Sequence, residues 1–234
     1  MSTTLSMPEA TTAPGLVGRL ALRRRPFLPL GLATLVALLL AALASPRVDY
    51  ERAAEEAIER EESSSQLSPH ERETALATAR RVGSLGAYLG AAAGTGLWAF
   101  GAALCLWIGF KVVGGRPDLR GALTAACLGL VPGAMERLLA LPALLSRSRI
   151  APVEVDRLLP ASLGALLPAG TRSPLASLLW SLDLFSLLSV AVVSCAMAAV
   201  AGVSMRRSLL TTAALWLGYV AVFRVALPTF GGPP

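Results

Sequence analysis

The chain has 234 residues, of which 54% are hydrophobic and only 15% are charged. A soluble domain usually carries about 25% charged residues, so the composition excludes an ordinary soluble protein and indicates one membrane domain. The net charge is +6, but the basic residues flank apolar stretches. That placement is typical of topology signals rather than of a nucleic-acid-binding surface, and we expect no nucleic acid partner.

Five apolar stretches have about the length that a helix needs to cross a bilayer, which is about 20 residues. They predict an all-α membrane protein, a bundle of five transmembrane helices that occupies 27–228. The predicted spans cover about 27–45, 84–110, 119–145, 174–202 and 207–228.

The segment before the first span, 1–26, is rich in Ser, Thr, Pro and Arg and is predicted to be a disordered tail. Positive charge before a first span keeps that end in the cytoplasm. Its basic residues are Arg19, Arg23, Arg24 and Arg25. An alternative is a signal peptide, because the residues ending at Ala44 resemble a cleavage site. The apolar run is longer than the roughly 7–15 residues of a signal peptide, so we favour an uncleaved helix.

The hydrophilic segment 46–83 has nine acidic and six basic residues and is predicted to be a helical loop outside the membrane. A first short helix is predicted over about 48–61. Ser68, Pro69 and Glu71 have the spacing of a capping box with proline at the first helical position. A second helix is therefore expected to begin there.

Two short loops near 111–120 and 205–207 each carry a net charge of +2, which places them in the cytoplasm. The outer loop 146–173 also carries +2 and departs from that rule, but alternation of the spans places it outside. The C-terminal tail 229–234 then lies outside as well. The cations expected to set topology and to contact headgroups, besides those of the N-terminal tail, are Lys111, Arg116, Arg120, Arg206 and Arg207.

The second span carries small residues on one face of the predicted helix, since their spacings follow about 3.6 residues per turn. The face consists of Gly86, Gly90, Gly94, Gly101, Cys105 and Gly109. Small residues let helix backbones approach closely in lipid. The face therefore either packs against another helix of the same bundle or forms a homo-oligomer contact.

Four ionisable residues lie in or near the later spans: Glu136, Arg137, Asp183 and Arg224. Charge within the hydrocarbon costs several kcal/mol, so such residues are functional candidates. Their positions along the predicted spans gather all four toward the outer side. They predict a polar cluster with Asp183 and Arg224 as its ion pair; alternatively, each lies separately at the interface with its charge among the headgroups.

The sequence has no motif that carries catalysis. Its only histidine, His70, lies in the hydrophilic loop, and it has no metalloprotease, nucleophile-elbow or phosphate-loop motif. Cys105, Cys127 and Cys195 lack Cys-x-x-Cys spacing and are interpreted as packing residues. We expect no enzymatic activity, no metal and no cofactor.

Three stretches, taken in order, resemble the bacterial branch of the Yip1 family. One is LSPHERETALATAR, which resembles the Ser/Thr-Pro-Glu-x-Arg-Glu helix after the family's first span. Another is WIGFKVVGGRPDLRGALTAACLGLVP, which resembles its turn between two spans. The third is SLLWSLDLFSLLSVAVVSCAMAAVAGVSMRRSLLTTAALWL, which resembles its Leu-Asp-Leu-Phe helix, basic turn and final helix. The resemblance covers about 27–225 and departs at Leu188, where the family usually has tryptophan.

The resemblance implies a five-span bundle with a cytoplasmic N-terminus. Eukaryotic members act in vesicle traffic, bind small GTPases and form oligomers, but the tail here has no matching partner motif, so a GTPase is not carried over. We predict a non-enzymatic scaffold or membrane-organising protein in the bacterial cytoplasmic (inner) membrane. Its expected partners are the lipid bilayer, other copies of the chain and other membrane proteins.

A second hypothesis is a small transporter or channel. Its site would be the outer polar cluster, next to a third span that Pro132 and Pro142 interrupt. Transporters unwind helices in this way around ions, although prolines also make ordinary kinks in membrane helices.

Overall fold

The computed structural model describes residues 15–23, 25–52, 54–55, 68–150, 162–166 and 174–226. These residues form helices without a β-strand, apart from two isolated β-bridges. The α-helices are α1 (Leu16–Leu22), α2 (Phe27–Ala44), α3 (Pro69–Leu89), α4 (Thr95–Val112), α5 (Leu119–Leu145), α6 (Pro174–Ser181), α7 (Leu184–Ala201) and α8 (Met205–Tyr219). A π-helical turn joins α3 to α4 over Gly90–Gly94, and another continues α8 over Val220–Ala226.

Four helical segments of the described chain are long and apolar enough to cross a membrane. They are Phe27–Ala44, His70–Val112, Leu119–Leu145 and Leu184–Ala201, and they correspond to the first four predicted stretches. The fifth stretch is formed by the 15 residues of α8 and the 7 residues of the π-helical segment after it. Its last two residues, 227–228, lie outside the described residues.

Two predicted boundaries differ from the structure. The predicted disordered tail over 1–26 does not hold for α1, whose Ala21 is buried in the main core, because an apolar face of this short helix packs against α7. The predicted span 174–202 is two helices, because the chain leaves helical geometry at Leu182 and Asp183 begins α7.

The polar helix of the hydrophilic segment and the second predicted span form one continuous helical rod from α3 to α4. Ser68 and Glu71 make the predicted capping box at its start, with Pro69 at the first helical position. The first N–H groups of a helix have no partner within the helix. A short side chain that accepts a hydrogen bond from one of them therefore favours a helix start at this point. The predicted second helix of the hydrophilic segment is confirmed, and only part of the first, over 50–52 and 54–55, lies within the described residues.

Helices α5 and α7 form the centre of the bundle. α5 packs against α7, α2 and α4, while α7 also packs against α1 and α8. The main core consists largely of alanines, with Phe110 and Met197 as its largest fully buried side chains. Small side chains bring these helices close together, which is how helix association gains packing energy in lipid.

The ends of the helices meet in two groups. After α2 and α5 the chain forms a parallel bridge between Val48 and Ile150, and Arg149 pairs with Asp49 at 3.6 Å. At the other end of the bundle, the Arg116 N–H donates to the Ala201 carbonyl over 3.1 Å. The loop between α4 and α5 therefore lies directly against the end of α7.

Candidate functional site

The small-residue face predicted on the second span is open over most of its length. A Cβ atom built on Gly86, Gly90, Gly94 or Gly101 meets no atom within 4 Å among the neighbouring elements. Cys105, the next small residue in the register, is exposed. α2 packs against the Gly90–Gly94 turn, but these glycines point away from it. We call the open part, Gly86 to Cys105, the open glycine face.

Only the C-terminal end of the predicted face, in the described residues, has its Cβ position filled within the bundle. A Cβ atom on Gly109 would lie 2.8 Å from a terminal carbon of Leu215 on α8. Of the two alternatives left open by the sequence, packing within the bundle applies to Gly109. A Cβ atom on Gly86, Gly90, Gly94 or Gly101, in contrast, meets no atom within 4 Å in the described chain.

The close helix contact of the bundle uses glycines that the sequence interpretation missed. A Cβ atom on Gly121 would lie 2.5 Å from Val200, and one on Gly129 would lie 2.5 Å from Val193. Both valines belong to α7, so α5 and α7 approach with glycine against valine. Gly121, Ala125, Gly129 and Gly133 repeat every four residues, and that small-residue period was the available signal.

One member of the predicted polar cluster, Asp183, has a role within its own helix. Asp183 is the N-cap of α7: one carboxylate oxygen accepts the Ser186 N–H over 2.7 Å and the other accepts the Ser186 hydroxyl. Both oxygens of the carboxylate are thus used by the first turn of its own helix. A cap of this kind explains why an acidic residue occurs at this point without any need for a buried charge pair.

The other three members of the cluster lie on two elements. Glu136 is partly buried on α5 and Arg137, beside it, is exposed. The glycine–valine contacts fix an antiparallel register between α5 and α7, and extending it brings Glu136 to about the level of Ser186. Arg224 lies in the π-helical segment, which packs against α6. The side chain of Arg224 is outside the described part of the structure. The predicted ion pair between Asp183 and Arg224 therefore stays a prediction.

The third span is not broken at its prolines. α5 continues as one helix of 27 residues through Pro132 and Pro142. An unwound segment around an ion was the feature that connected these prolines with transport. Within the described residues, no group of three or more His, Cys, Asp or Glu side chains could hold a metal ion.

The predicted topology cations cluster at the end of the bundle where α4 ends and α8 begins. Lys111, Arg116, Arg120, Arg206 and Arg207 are exposed there. The Lys111 amine lies 3.8 Å from the centre of the Trp107 ring. Arg23 and Arg25 are also exposed, Arg19 makes contacts within the chain, and Arg24 lies outside the described residues.

Comparison with known proteins rests on one match. The family model described as the Yip1 domain matches residues 11–226, which is nearly the whole chain. The chain belongs to the Yip1 family. No curated protein and no solved structure matches it. The Yip1 match, together with the four apolar helices, makes the chain an integral membrane protein that contacts the lipid bilayer.

In this Yip1-domain protein, the motifs that carry the resemblance lie at helix starts and tight turns. The Ser-Pro-His-Glu sequence makes the capping box of α3, and the Leu-Asp-Leu-Phe sequence contains the cap of α7. In the turn Gly114-Gly115-Arg116-Pro117, a Cβ atom on Gly115 would lie 3.2 Å from Ala201 and from Val203. These positions shape the backbone of the bundle.

Two substitutions of Asp183 distinguish a cap from a charge partner. We expect Asp183→Asn to keep the stability of the Yip1-domain protein, since asparagine caps as well as aspartate, and Asp183→Ala to lower it by about 1 kcal/mol. Thermal unfolding in detergent measures both variants against the unmodified protein. Equal losses in the two variants would show that the negative charge, not the cap, is what the site requires.

Proposed function

We propose that the protein is a non-enzymatic, five-span scaffold of the bacterial cytoplasmic membrane that self-associates through the open glycine face. The observation that carries the proposal is the open space beside Gly86, Gly90, Gly94 and Gly101, combined with the filled space beside Gly121 and Gly129 of α5. The close packing between α5 and α7 uses Gly121 and Gly129, so it gives no reason for the glycines of the second span to be small.

The physical argument concerns what a glycine face does in lipid. A helix surface covered by lipid tails needs no small residues, because lipid is as apolar as leucine and packs against any side chain. Glycine in a helix interior also costs about 1 kcal/mol relative to alanine. A run of glycines with one register is therefore best explained by another helix backbone that approaches it. A second copy of the chain presents the same face and meets this requirement by two-fold symmetry.

The helix ends support the five-span threading that the proposal uses. The ends of α2 and α5 lie together, and the loop after α4 lies against the end of α7. This is the arrangement expected if 27–228 is the membrane domain, with 46–83 and 146–173 on one side. The tail 1–26 then lies on the cytoplasmic side, in agreement with the charge rule, and the tail 229–234 lies on the other side.

The roles of the acidic side chains near the membrane support a structural rather than a catalytic function. Asp118 and Asp183 cap the two central helices. The continuous α5 gives no support to the transport hypothesis. We therefore propose that the protein acts through contacts with lipid, with copies of itself and with other membrane proteins, and that it needs no cofactor.

Cysteine crosslinking tests the proposed self-association. In a variant whose three native cysteines are replaced by alanine, we expect Gly90→Cys to form a disulfide-linked dimer on mild oxidation in native membranes. Gly31→Cys on α2 is the matched control, because its Cβ also meets no atom within 4 Å but it lies outside the open glycine face. Dimers in both variants would indicate random collision, and dimers in neither would contradict a contact between these faces.

A further inference from the structure

One end of the bundle has a concentration of exposed positive charge, which the sequence analysis interprets only as a topology signal and general headgroup contact. Lys111 lies in the last turn of α4, Arg120 in the first turn of α5, and Arg206 and Arg207 in the first turn of α8. Arg116 lies in the loop between α4 and α5. We call these five residues the basic end.

The tertiary structure brings the basic end together from two loops that are far apart in sequence. The Arg116 N–H bonds to the Ala201 carbonyl, and Gly115 packs against Ala201 and Val203. The loop that holds Arg116 therefore lies against the turn that leads into Arg206 and Arg207. The backbone contact fixes cations from both loops on one surface.

The five cations of this surface outnumber the one acidic residue of the segments 111–120 and 205–207, Asp118. The sequence has no Asp or Glu between Glu73 and Asp118, and none after Asp183. Asp118 is the acidic residue nearest to the basic end along the chain, and its carboxylate accepts the Gly121 N–H as the cap of α5. None of the ion pairs found among the described residues involves the four arginines of the basic end.

The helix geometry adds to the positive potential. The N-terminal ends of α5 and α8 carry partial positive charge from the helix dipole, and arginine in a first turn increases it. The Asp118 carboxylate, the cap of α5, offsets part of this charge, and neither first turn contains an acidic residue. A bound anion would compensate both the side chains and the dipoles.

The depth of the basic end identifies the anion. Lys111 and Arg120 lie at the ends of helices long enough to cross the bilayer, where headgroups lie, and Arg206 and Arg207 follow shortly after the end of a third, α7. Trp107, one turn inside Lys111, has its ring against the amine, as expected at a membrane interface. We propose that the basic end binds the phosphate of an anionic phospholipid headgroup, which anchors this end of the bundle to a negatively charged leaflet.

Lipid binding to the full-length protein in detergent tests the proposal. Native mass spectrometry of protein titrated with phosphatidylglycerol or phosphatidylcholine measures the affinity for each lipid. We expect the protein to prefer phosphatidylglycerol. Replacing Arg116, Arg120, Arg206 and Arg207 by glutamine should weaken phosphatidylglycerol binding by about tenfold or more and leave phosphatidylcholine binding unchanged.

A matched control removes four exposed arginines from the opposite end: Arg72, Arg80, Arg81 and Arg149 to glutamine. It changes the net charge equally and should keep the lipid preference. The double variant Arg206→Gln with Arg207→Gln, expected to lose part of the affinity, keeps the test valid if the fourfold variant fails to fold. Equal losses in the control, unchanged binding in both basic-end variants, or equally tight binding of inorganic phosphate would overturn the proposal.

Discussion

Replacing Gly129 by leucine is expected to separate the two central helices and to lower the free energy of unfolding by at least about 1–3 kcal/mol. A Cβ atom at this position would lie 2.5 Å from the Cγ2 atom of Val193, and a leucine adds three further carbon atoms. Valine has a restricted side-chain rotamer in a helix, so it cannot rotate away at low cost. The backbone of α5 or α7 must move instead, at the most extensive contact of the bundle.

Gly133→Leu is the control for this prediction. Gly133 lies one turn further along α5, and a Cβ atom there meets no atom within 4 Å. Both variants lose the same glycine flexibility and gain the same apolar volume, so their difference isolates the contact with α7. The midpoint of thermal unfolding in detergent, followed by size-exclusion chromatography, measures the effect. A Gly129→Leu protein as stable as Gly133→Leu would show that α5 and α7 are further apart than the structure indicates.

Gly83→Leu is expected to displace the segment that follows the first span. The ring of Tyr50 covers Gly83, and a Cβ atom on this glycine would collide with three carbon atoms of the ring. Overpacking of this kind typically costs about 1–3 kcal/mol. We expect faster amide hydrogen exchange at residues 48–52 and a lower midpoint of thermal unfolding.

The titration of Tyr50 gives a second measurement of the same change. Burial, and to a smaller extent the neighbouring Tyr88, raises the pKa of Tyr50 above its ordinary value of 10.0. The Gly83→Leu substitution should lower this pKa toward 10.0, since it moves the ring into water. Gly86→Leu on the same helix is the control, because a Cβ atom there meets no neighbour. An unchanged Tyr50 pKa in Gly83→Leu would show that the ring stays buried.

Features that depend on a few adjacent residues were predictable from the sequence. The cap formed by Ser68, Pro69 and Glu71 begins α3 as expected, because the bonds that make it lie within one turn. The lengths of the apolar stretches predicted the first and third spans to within a residue of α2 and α5. The predicted second span ends within a few residues of the end of α4. The family could also be recognised, because its motifs lie at such local turns and helix starts.

Asp183 shows where interpretation of single residues was insufficient. Depth along a span made it a candidate for an intramembrane ion pair, but the same Asp-x-x-Ser spacing also forms an N-cap. The choice depended on whether 174–202 was one helix or two. Hydropathy could not decide this, because the residues on both sides of the break are apolar.

The sequence by itself determined that this is a helical membrane protein of the Yip1 family, with glycines in register on its second span. Only the tertiary structure decided which glycines have neighbours. Gly121 and Gly129 pack against α7, whereas a Cβ atom on Gly86, Gly90 or Gly94 meets no atom of the described chain within 4 Å. The physical reason is that hydrophobic length and capping act within one segment, whereas packing is a property of two surfaces. In lipid every helix face is apolar, so the sequence of one helix does not show which face another helix covers.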